Sequence, residues 1–303
     1  MKHKLPLVSI VILHFNRIHD LKETIKKSLE IKYGNLEYIV IDNGSKKEIK
    51  AEFKNIKFSK IKKINIPKNK GSAYGHTIGM QEAKGKYILT IDDDSYVSIN
   101  SISYLVDLFE NNEKLGAVGL GMVNPNTNYN DYDFKKIPKL FIPKDYLRTS
   151  FDSMIATSAA FFRKKCLVEV NYYDLNWNWY TEDTELVLKI ISKGYNTINL
   201  PQIIAYHKSS LVNRNFDLMS QNSIEGTILL YFKFFPLSYA LYKYSEIISR
   251  SIYNSIYNFN FKYLTFAIVS PKKIISVLSK YIHIDPRIRK NLHIPGNAIF
   301  SRK

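Results

Sequence analysis

Residues 86–95 read KYILTIDDDS, an apolar segment that ends in three consecutive aspartates. Its β-branched and aromatic residues predict a strand buried on both faces, as the strands of parallel sheets are. Three similar segments come before it and helical patterns separate the four, so strands are predicted over residues 7–15, 36–41, 61–66 and 86–91. This alternation predicts an α/β fold with a mostly parallel central sheet and helices on both faces.

Polar segments follow three of these strands at their carboxyl ends. They are residues 14–17 (HFNR), 42–45 (DNGS) and 92–94 (DDD). Ligands of open parallel sheets bind beyond the carboxyl ends of the strands. The sequence therefore predicts one ligand site to which all three segments contribute.

The aspartate triplet is a candidate metal site. Alternate side chains of an extended chain share a face, so Asp92 and Asp94 are expected to point together and Asp93 to point the opposite way. Two carboxylates aimed at one point repel unless a cation lies between them, and oxygen ligands suit Mg²⁺ or Mn²⁺. A solvated acidic turn is the alternative. Because the apolar strand delivers these acids to the ligand edge of the sheet, we favour the metal site, with His207 as a further candidate ligand.

The second half of the chain is less regular. Asp20-x-x-Glu23 is interpreted as the capping box of the first helix, and residues 124–150 as a long loop or lid. Thr181 is expected to cap a helix that Gly194 ends. The remaining predictions are strands over 154–162, 195–200 and 203–207, and helices over 215–233, 237–257 and 261–281.

An acid pair, Glu182 and Asp183, lies directly after the segment that holds both tryptophans of the chain, Trp177 and Trp179. Acids in the first turn of a helix complement its dipole, and this alone would explain the pair. Aromatic faces beside a carboxylate also suit a sugar site, in which the rings stack on the sugar and the acid acts as general base. From the residues alone, both interpretations are open.

The amino-acid composition excludes some classes of protein and of metal site. The 303 residues include one cysteine, Cys166, which excludes a disulfide framework and a four-cysteine zinc site and fits a reducing compartment. Neither a signal peptide nor a membrane-spanning run is predicted. Residues 208–303 hold 14 of the 44 lysines and arginines but only 4 of the 27 acids, which indicates an anionic partner for this part.

Taken as an ordered set, four segments and His207 resemble the inverting family-2 glycosyltransferases of the GT-A fold, especially bacterial rhamnosyl- and galactofuranosyl-type members. The segments are VSIVILHFNR (8–17), YIVIDNGS (38–45), NKGSAYGHTIGMQEAKGKYILTIDDDS (69–95) and WYTEDTELVLKIISKGY (179–195). The resemblance covers about residues 5–210. It implies a UDP- or dTDP-linked sugar donor, a divalent metal (Mn²⁺ or Mg²⁺) on the diphosphate, and direct displacement at the anomeric carbon.

The resemblance also implies roles for single residues. In the donor pocket, Asp42 would hydrogen-bond the base beside Asn43, Gly71 would let the backbone approach the donor, and Asp93 would face the ribose or donor sugar. The end of the first strand would line the nucleotide pocket with Phe15, Asn16 and Arg17.

In the catalytic centre, the resemblance implies that Asp183 is the general base and that Glu182 helps to orient the acceptor. The implied metal ligands are Asp92, Asp94 and His207, and the acceptor would lie against Trp177 and Trp179. The sequence departs from the family at His14, where the family has Thr, at Thr77, where it has Asn, and at residues 158–160. These departures leave the nucleobase and the donor sugar open.

Two units are predicted, a GT-A catalytic domain over 1–210 and a basic, aromatic-rich helical extension over 211–303. Phe232, Phe234, Phe235 and Tyr239 cluster around Lys233. We therefore expect the extension to lie on the anionic inner face of the cytoplasmic membrane. The alternative is that its apolar faces pack on the catalytic domain or on a second subunit in a homo-oligomer.

The sequence thus predicts a cytoplasmic, metal-dependent, inverting hexosyl- or deoxyhexosyltransferase in the assembly of bacterial surface polysaccharide or glycolipid. Its acceptor would be a saccharide or a lipid-linked molecule. A sugar-phosphate nucleotidyltransferase is disfavoured, because residues 14–20 lack the glycines and arginines of a triphosphate loop. A nucleic-acid-binding module would leave the three aspartates without a purpose, so no nucleic-acid partner is expected.

Overall fold

A mixed sheet of ten strands forms the centre of the protein in the computed structural model. The structure describes residues 5–56, 60–124, 151–152, 155–177, 180–208, 216–257, 259, 261–289 and 292–293. The strands are β1 (Val8–His14), β2 (Leu36–Asn43), β3 (Ile61–Ile66), β4 (Tyr87–Asp92), β5 (Ser95–Val97), β6 (Leu115–Val123), β7 (Phe151–Asp152), β8 (Ala159–Arg163), β9 (Asn196–His207) and β10 (Leu292–His293).

The strand order is β10-β7-β9-β6-β8-β4-β1-β2-β3, and β5 pairs with β9 at its side. The pairs β1–β2, β1–β4, β2–β3 and β6–β9 are parallel, whereas β8 runs antiparallel to both of its neighbours. The mostly parallel central sheet that the sequence predicts is therefore confirmed. The parallel pairing brings the carboxyl ends of β1, β2 and β4 to one edge.

Eleven helices surround the sheet in the described parts of the chain. They are α1 (Ile18–Leu29), α2 (Lys47–Asn55), α3 (Ser72–Glu82), α4 (Ser101–Glu110), α5 (Lys164–Glu169), α6 (Glu182–Ser192), α7 (Phe216–Phe234), α8 (Leu237–Tyr257), α9 (Lys262–Ala267), α10 (Pro271–Leu278) and α11 (Pro286–Arg289).

Each face of the sheet has its own hydrophobic core. Ile10 and Ile12 of β1 pack with residues of α1 and α4 on one face. Val11 and Leu13, which alternate with them, belong to the core on the other face, together with residues of α6 and α7. This alternation places helices on both faces, as expected for strands that are buried on both sides.

Helix α3 lies unusually close to the sheet because glycine occupies its contact face. A Cβ atom at Gly79 would lie 2.4 Å from Cγ1 of Val11 and 2.6 Å from Cδ1 of Ile41. A larger residue would therefore push the helix away from β1 and β2. The close packing holds the start of α3 at the carboxyl ends of these strands, where the predicted ligand site lies.

Two of the predicted helix caps are wrong. Helix α1 begins at Ile18, so Asp20 lies within its first turn, where the carboxylate instead accepts a hydrogen bond from Lys208 Nζ at 2.8 Å. Thr181 does precede α6, but its hydroxyl accepts a hydrogen bond from Trp177 Nε1 and caps no amide. A long-range contact thus replaces the first cap, and a side chain four residues earlier in the chain takes the place of the second.

Two predicted boundaries also change. The two short strands near residue 200 are one strand, β9, because a register shift after Leu120 of β6 accommodates Pro201. The helix predicted over 261–281 is divided into α9 and α10, because Pro271 lacks an amide hydrogen and begins a new helix that Ser270 caps. The predicted lid over 124–150 lies outside the described residues except for Asn124.

The C-terminal helices share a core with the sheet. Phe232, Phe234, Phe235 and Lys233 are all buried, because this end of α7 packs into the core that also contains α6. The expectation that these residues form a lipid-facing cluster is therefore wrong. The boundary predicted at residues 210–211 lies outside the described residues.

Candidate active site

A cavity of about 610 Å³ opens at the carboxyl edge of the sheet. The ends of β1, β2 and β4 reach it through Leu13, Asn43 and Asp92, and the start of α3 forms another part of its wall. Opposite them lie the segment before α6 and its first residue, with Leu175, Trp177, Tyr180 and Glu182. All three polar segments that the sequence places at strand ends thus contribute to one site.

Three candidate metal ligands meet at this edge. One ligand atom from each of Asp92, Asp94 and His207 lies within 4.8 Å of the other two. His207 reaches the aspartates because β5 pairs antiparallel with β9, with Ser95 opposite His207. Its Nε2 lies 3.3 Å from Oδ1 of Asp94. Two carboxylates and one imidazole at this spacing fit a divalent cation such as Mn²⁺.

Asp93 is fully buried and is not among these three residues. It lies with Asp94 in the turn after β4, so the alternation expected of a strand does not apply to it, and Arg17 contacts both carboxylates. Oδ2 of Asp93 lies 2.9 Å from Nδ1 of His14 and accepts a hydrogen bond from the amide of Phe15, while Oδ1 contacts Arg17. Burial raises the pKa of Asp93, although His14 and Arg17 act in the opposite direction. The structure therefore places Asp93 beneath the cavity wall, where it anchors residues 14–17, and not on the surface that was expected to face the donor.

Arg17 connects the acidic turn to the cavity. Its Nη1 donates a hydrogen bond to Oδ2 of Asp94 at 2.8 Å, and its side chain lines the cavity. Burial works against its charged form, yet Asp93 and Asp94 raise the pKa of Arg17 above its usual value. The guanidinium therefore stays charged and places a cation beside the candidate metal ligands.

The start of α3 and the end of β2 form the part of the wall where Gly71 lies. Gly71 has a φ of 90°, and open space lies where a Cβ would be, so its backbone faces the cavity without a side chain. Asn43 Nδ2 donates a hydrogen bond to the carbonyl of Gly71 at 2.9 Å and fixes this loop.

Asn16 and Asp42 lie behind the cavity wall. Asn16 joins β1 to the turn after β2, because its amide donates to Ser45 Oγ and its Oδ1 accepts from the amide of Lys46. Asp42 is buried beside that turn, with Oδ1 accepting from the amide of Ser45 at 3.1 Å. Its Oδ2 has no hydrogen-bond partner among the described residues and is available as an acceptor.

The two acids of the pair have different surroundings: Glu182 lines the cavity, whereas Asp183 is bound by neighbouring side chains and an amide. Asp183 accepts hydrogen bonds from the amide and the hydroxyl of Thr157, at 3.0 and 2.7 Å, and from the hydroxyl of Tyr173 at 2.8 Å. Glu182 lines the cavity and accepts a hydrogen bond from Ser72 Oγ at 2.8 Å. Burial and the adjacent Asp183 raise the pKa of Glu182 to about 7. Glu182 is therefore about half protonated at neutral pH.

Trp177 is nearly buried, and its ring forms part of the cavity wall. Its Nε1 donates a hydrogen bond to Thr181 Oγ1 at 3.0 Å, which ties the ring to the residue before the acid pair. Trp179 lies outside the described residues.

Several residues that shape the site are absent from the sequence prediction. His76 Nε2 lies 3.5 Å from Oδ1 of Asp92, and its position one helical turn after the cavity residue Ser72 could have indicated this. Thr157 and Tyr173 hold Asp183, but no local pattern links them to it. Such contacts join segments that only the folded chain brings together.

Comparisons with known proteins agree with this architecture. The family model described as Glycosyl transferase family 2 matches residues 9–169. The chain is 25% identical over 209 residues to the poly-beta-1,6-N-acetyl-D-glucosamine synthase of Staphylococcus epidermidis, a match that covers 66% of this chain and 49% of that protein. The chain is 24% identical over 201 residues to the synthase of Staphylococcus aureus strain COL, a match that covers 62% of this chain and 46% of that protein. The chain thus spans about half the length of these curated relatives.

Solved structures share the fold at low sequence identity. GalNAc-T7 with UDP, GalNAc and Mn²⁺ superimposes with a TM-score of 0.62 at 17% identity, covering 92% of this chain and 57% of that one. Mannosyltransferase PcManGT from Pyrobaculum calidifontis, in complex with GDP-Man and Mn²⁺, superimposes with a TM-score of 0.58 at 14% identity. This match covers 92% of this chain and 87% of that one. TarS 1–349 of S. aureus with UDP superimposes with a TM-score of 0.51 at 13% identity, covering 73% of this chain and 65% of that one. The expected GT-A fold, with a helical C-terminal region, is confirmed.

Proposed function

This chain belongs to glycosyl transferase family 2, and we propose that it transfers a sugar, with inversion, from a nucleoside diphosphate to a hydroxyl group of a saccharide or lipid-linked acceptor. One observation carries the proposal. A single cavity joins the end of β4, where Asp92 belongs to the candidate metal cluster, to an acid of the pair at the start of α6. Direct displacement needs a stabilised leaving group on one side of the sugar and a base on the other.

The donor is assigned to the side of the cavity formed by β1, β2 and the start of α3. Phe15, Arg17 and Asn43 line it there, and Gly71 gives the donor access to the backbone. From the family resemblance, Asp42 is assigned to the nucleobase, and its Oδ2 is a buried acceptor without a hydrogen-bond partner among the described residues. An N–H group of a uracil or thymine base would suit this acceptor, which favours UDP- or dTDP-linked donors. Solved structures of this fold that hold UDP or GDP-Man support a nucleotide at this edge.

Asp92, Asp94 and His207 are the residues that would hold Mn²⁺ or Mg²⁺. The chemistry that such an ion supplies is Lewis-acid neutralisation of the charge on the leaving diphosphate. Arg17 acts in the same direction, because its cation lies beside Asp94 on the cavity wall.

Asp183 is proposed as the general base and Glu182 as the residue that orients the acceptor. Asp183 accepts three hydrogen bonds and, as a carboxylate, is fixed in one orientation by them. Glu182, with a pKa of about 7, holds its proton at slightly acidic pH and can donate a hydrogen bond to the acceptor. The acceptor would lie against the ring of Trp177, with Trp179 assigned to the same site from the sequence.

A screen of sugar nucleotides by thermal shift tests this function. In the presence of Mn²⁺, one of the UDP-, dTDP- or GDP-linked sugars is expected to raise the melting temperature by about 5 °C at a hundredfold excess over its Kd. The shift should shrink in EDTA. Release of the nucleoside diphosphate in the presence of a saccharide acceptor then reports transfer. If no sugar nucleotide shifts the melting temperature with or without metal, the proposed function is wrong.

The biological setting is proposed from the relatives, which are synthases of poly-beta-1,6-N-acetyl-D-glucosamine. We propose a role in surface-polysaccharide or glycolipid assembly in the cytoplasm, at the inner face of the membrane. Within the described residues, no helix has both the length and the apolar character needed to cross a bilayer.

A different surface from the expected one supports contact with a membrane. Tyr253, Ile256 and Tyr257 are each more than 60% exposed on consecutive turns of α8, and Phe259 and Phe261 continue this surface. The basic residues Lys262 and Lys272 lie in the two helices that follow. Exposed aromatics beside cations suit an anionic lipid surface.

Flotation with liposomes tests the membrane proposal. The variant Tyr253→Ser/Ile256→Ser/Tyr257→Ser should lose most of the vesicle binding of the wild-type protein, because it removes the apolar contact without touching the core. Binding of the wild type should rise with anionic lipid and fall with salt. Val168→Ser, an exposed apolar residue on α5, is the matched control and should bind as the wild type does. Equal recovery on neutral and anionic vesicles, or none on either, would contradict the membrane proposal and favour contact of this surface with a second subunit.

A further inference from the structure

Lys233 is a buried cation near the end of α7, with 2% of its surface exposed. Its Nζ lies 2.6 Å from Oε1 of Glu185 and 2.9 Å from Oδ2 of Asp174. It also lies 4.8 Å from the centre of the Trp177 ring. A buried ammonium is stable only where charges and hydrogen bonds compensate for lost water, so these three contacts hold it in one place.

Each partner of Lys233 belongs to an element that forms the active site. Glu185 lies in the first turn of α6, three residues after Glu182. Asp174 belongs to the segment 173–177, in which Tyr173 donates to Asp183 and Trp177 lines the cavity. One ammonium group thus joins the helix that carries the acid pair to the segment that holds Asp183 in orientation.

The segment 173–177 lies between two cavities. Leu175 lines the active-site cavity and also a second cavity of about 400 Å³, whose wall includes Asp174, Glu185 and Lys233. The ends of the segment, Tyr173 and Trp177, are buried in the core, whereas Leu175 between them borders open space on both sides. The ion pair of Lys233 with Asp174 therefore fixes the segment at the part where packing is least complete.

We propose that Lys233 is a positioning residue for sugar transfer: it fixes segment 173–177 against α6 and so sets the orientation of Asp183 and of the Trp177 ring. This inference rests on the proposed function. Among the described residues of α7, none lines the active-site cavity, so Lys233 acts through its partners. The C-terminal helices are then part of the catalytic unit and not an independent extension.

The test must separate positioning from stability. Lys233→Met alone leaves the carboxylate of Asp174 without its cation and is expected to destabilise the fold. The double variant Asp174→Asn/Lys233→Met removes one charge of each sign and avoids that penalty, because Glu185 keeps Lys189 as its partner, with Nζ 3.5 Å from Oε2. Glu225→Gln/Lys273→Met is the matched control, because it neutralises another ion pair of α7 that does not contact the site.

The double variant is expected to melt near the wild-type temperature and to bind the donor nucleotide with unchanged affinity. Its kcat should fall about ten- to a hundredfold, because displaced catalytic groups slow the chemical step without removing the donor site. The control should keep the wild-type kcat. If kcat follows the melting temperature across all variants, or if the double variant transfers sugar at the wild-type rate, Lys233 has only a structural role.

A second measurement needs no substrate. In a Trp179→Phe background, Trp177 is the sole tryptophan, and its quenching by acrylamide reports whether segment 173–177 stays closed. The quenching constant should rise severalfold in the double variant Asp174→Asn/Lys233→Met and stay constant in the control. An unchanged constant would overturn the proposal. Should the wild type transfer no sugar from any donor, the proposed function fails, while the quenching result still decides whether Lys233 holds the segment.

Discussion

Asp94→Ala is expected to abolish sugar transfer, with a loss of at least about a thousandfold, and to weaken binding of the nucleoside diphosphate. The Asp94 carboxylate lies between His207 Nε2, at 3.3 Å, and Arg17 Nη1, at 2.8 Å. Its removal therefore takes a ligand from the metal cluster and a partner from the cavity arginine. Transfer rate with Mn²⁺ and calorimetric titration with UDP would measure both losses.

Two comparisons make this result specific. Asp94→Asn keeps the shape of the side chain and an oxygen for Arg17 but loses the charge, so a loss similar to that of the alanine variant would assign the effect to metal binding. His207→Ala should be less severe, because two carboxylates remain. Asp107→Ala, an exposed aspartate on α4, serves as the control. Full activity in excess EDTA would contradict the assignment of all three ligands.

Asp183→Asn is expected to reduce turnover by about 10²- to 10⁴-fold, the scale of general-base removal, with nearly unchanged donor affinity. The asparagine oxygen can still accept from the hydroxyls of Thr157 and Tyr173, whereas the bond from the Thr157 amide to Oδ2 is lost. Two of the three hydrogen bonds should therefore persist while the basicity is lost. Rates at saturating donor and acceptor, together with donor Kd, would measure this. Glu182→Gln should be milder.

The pH profile separates the two acids. If Glu182 were the base, transfer would rise as pH increases through about 7, because only the ionised carboxylate accepts a proton. Glu182→Gln would then be the more damaging change. An order of severity reversed in this way would move the base from Asp183 to Glu182 and leave the rest of the site as proposed.

Local rules of the chain predicted much of the fold. Ligand atoms of Asp92 and Asp94 do lie close together, but β4 ends at Asp92, so the turn that follows, and not strand alternation, brings them there. The positions of the first four strands along the chain are predicted from the sequence, because strands buried on both faces have few polar residues. Pro271 carried a signal for the break between α9 and α10 that the predicted helix over 261–281 overlooked.

The remaining errors concern side-chain contacts that local sequence patterns do not specify. A cluster of aromatics around Lys233 looks the same in sequence whether it faces lipid or a core, and the structure buries it against α6. Thr181 has the right residue type and position for a cap, yet Trp177 takes its hydroxyl. The carboxylate of Asp93 is similarly hydrogen-bonded to His14, which is one of the departures from the family pattern. Propensity is a weak guide wherever a tertiary partner competes for the same atom.

The antiparallel pairing of β5 with β9 has a consequence for folding. It joins Ser95 to His207 across more than about a hundred residues of chain, a closure whose entropy cost must be met before the contact forms. A growing chain that lacks β9 therefore carries its acidic turn without the histidine, and the full ligand set arises only when this long-range strand pair closes. An ion that needs all three side chains would bind the folded chain and not the unfolded one, so its concentration should set part of the folding equilibrium. Chelation would then promote unfolding as well as stop the reaction.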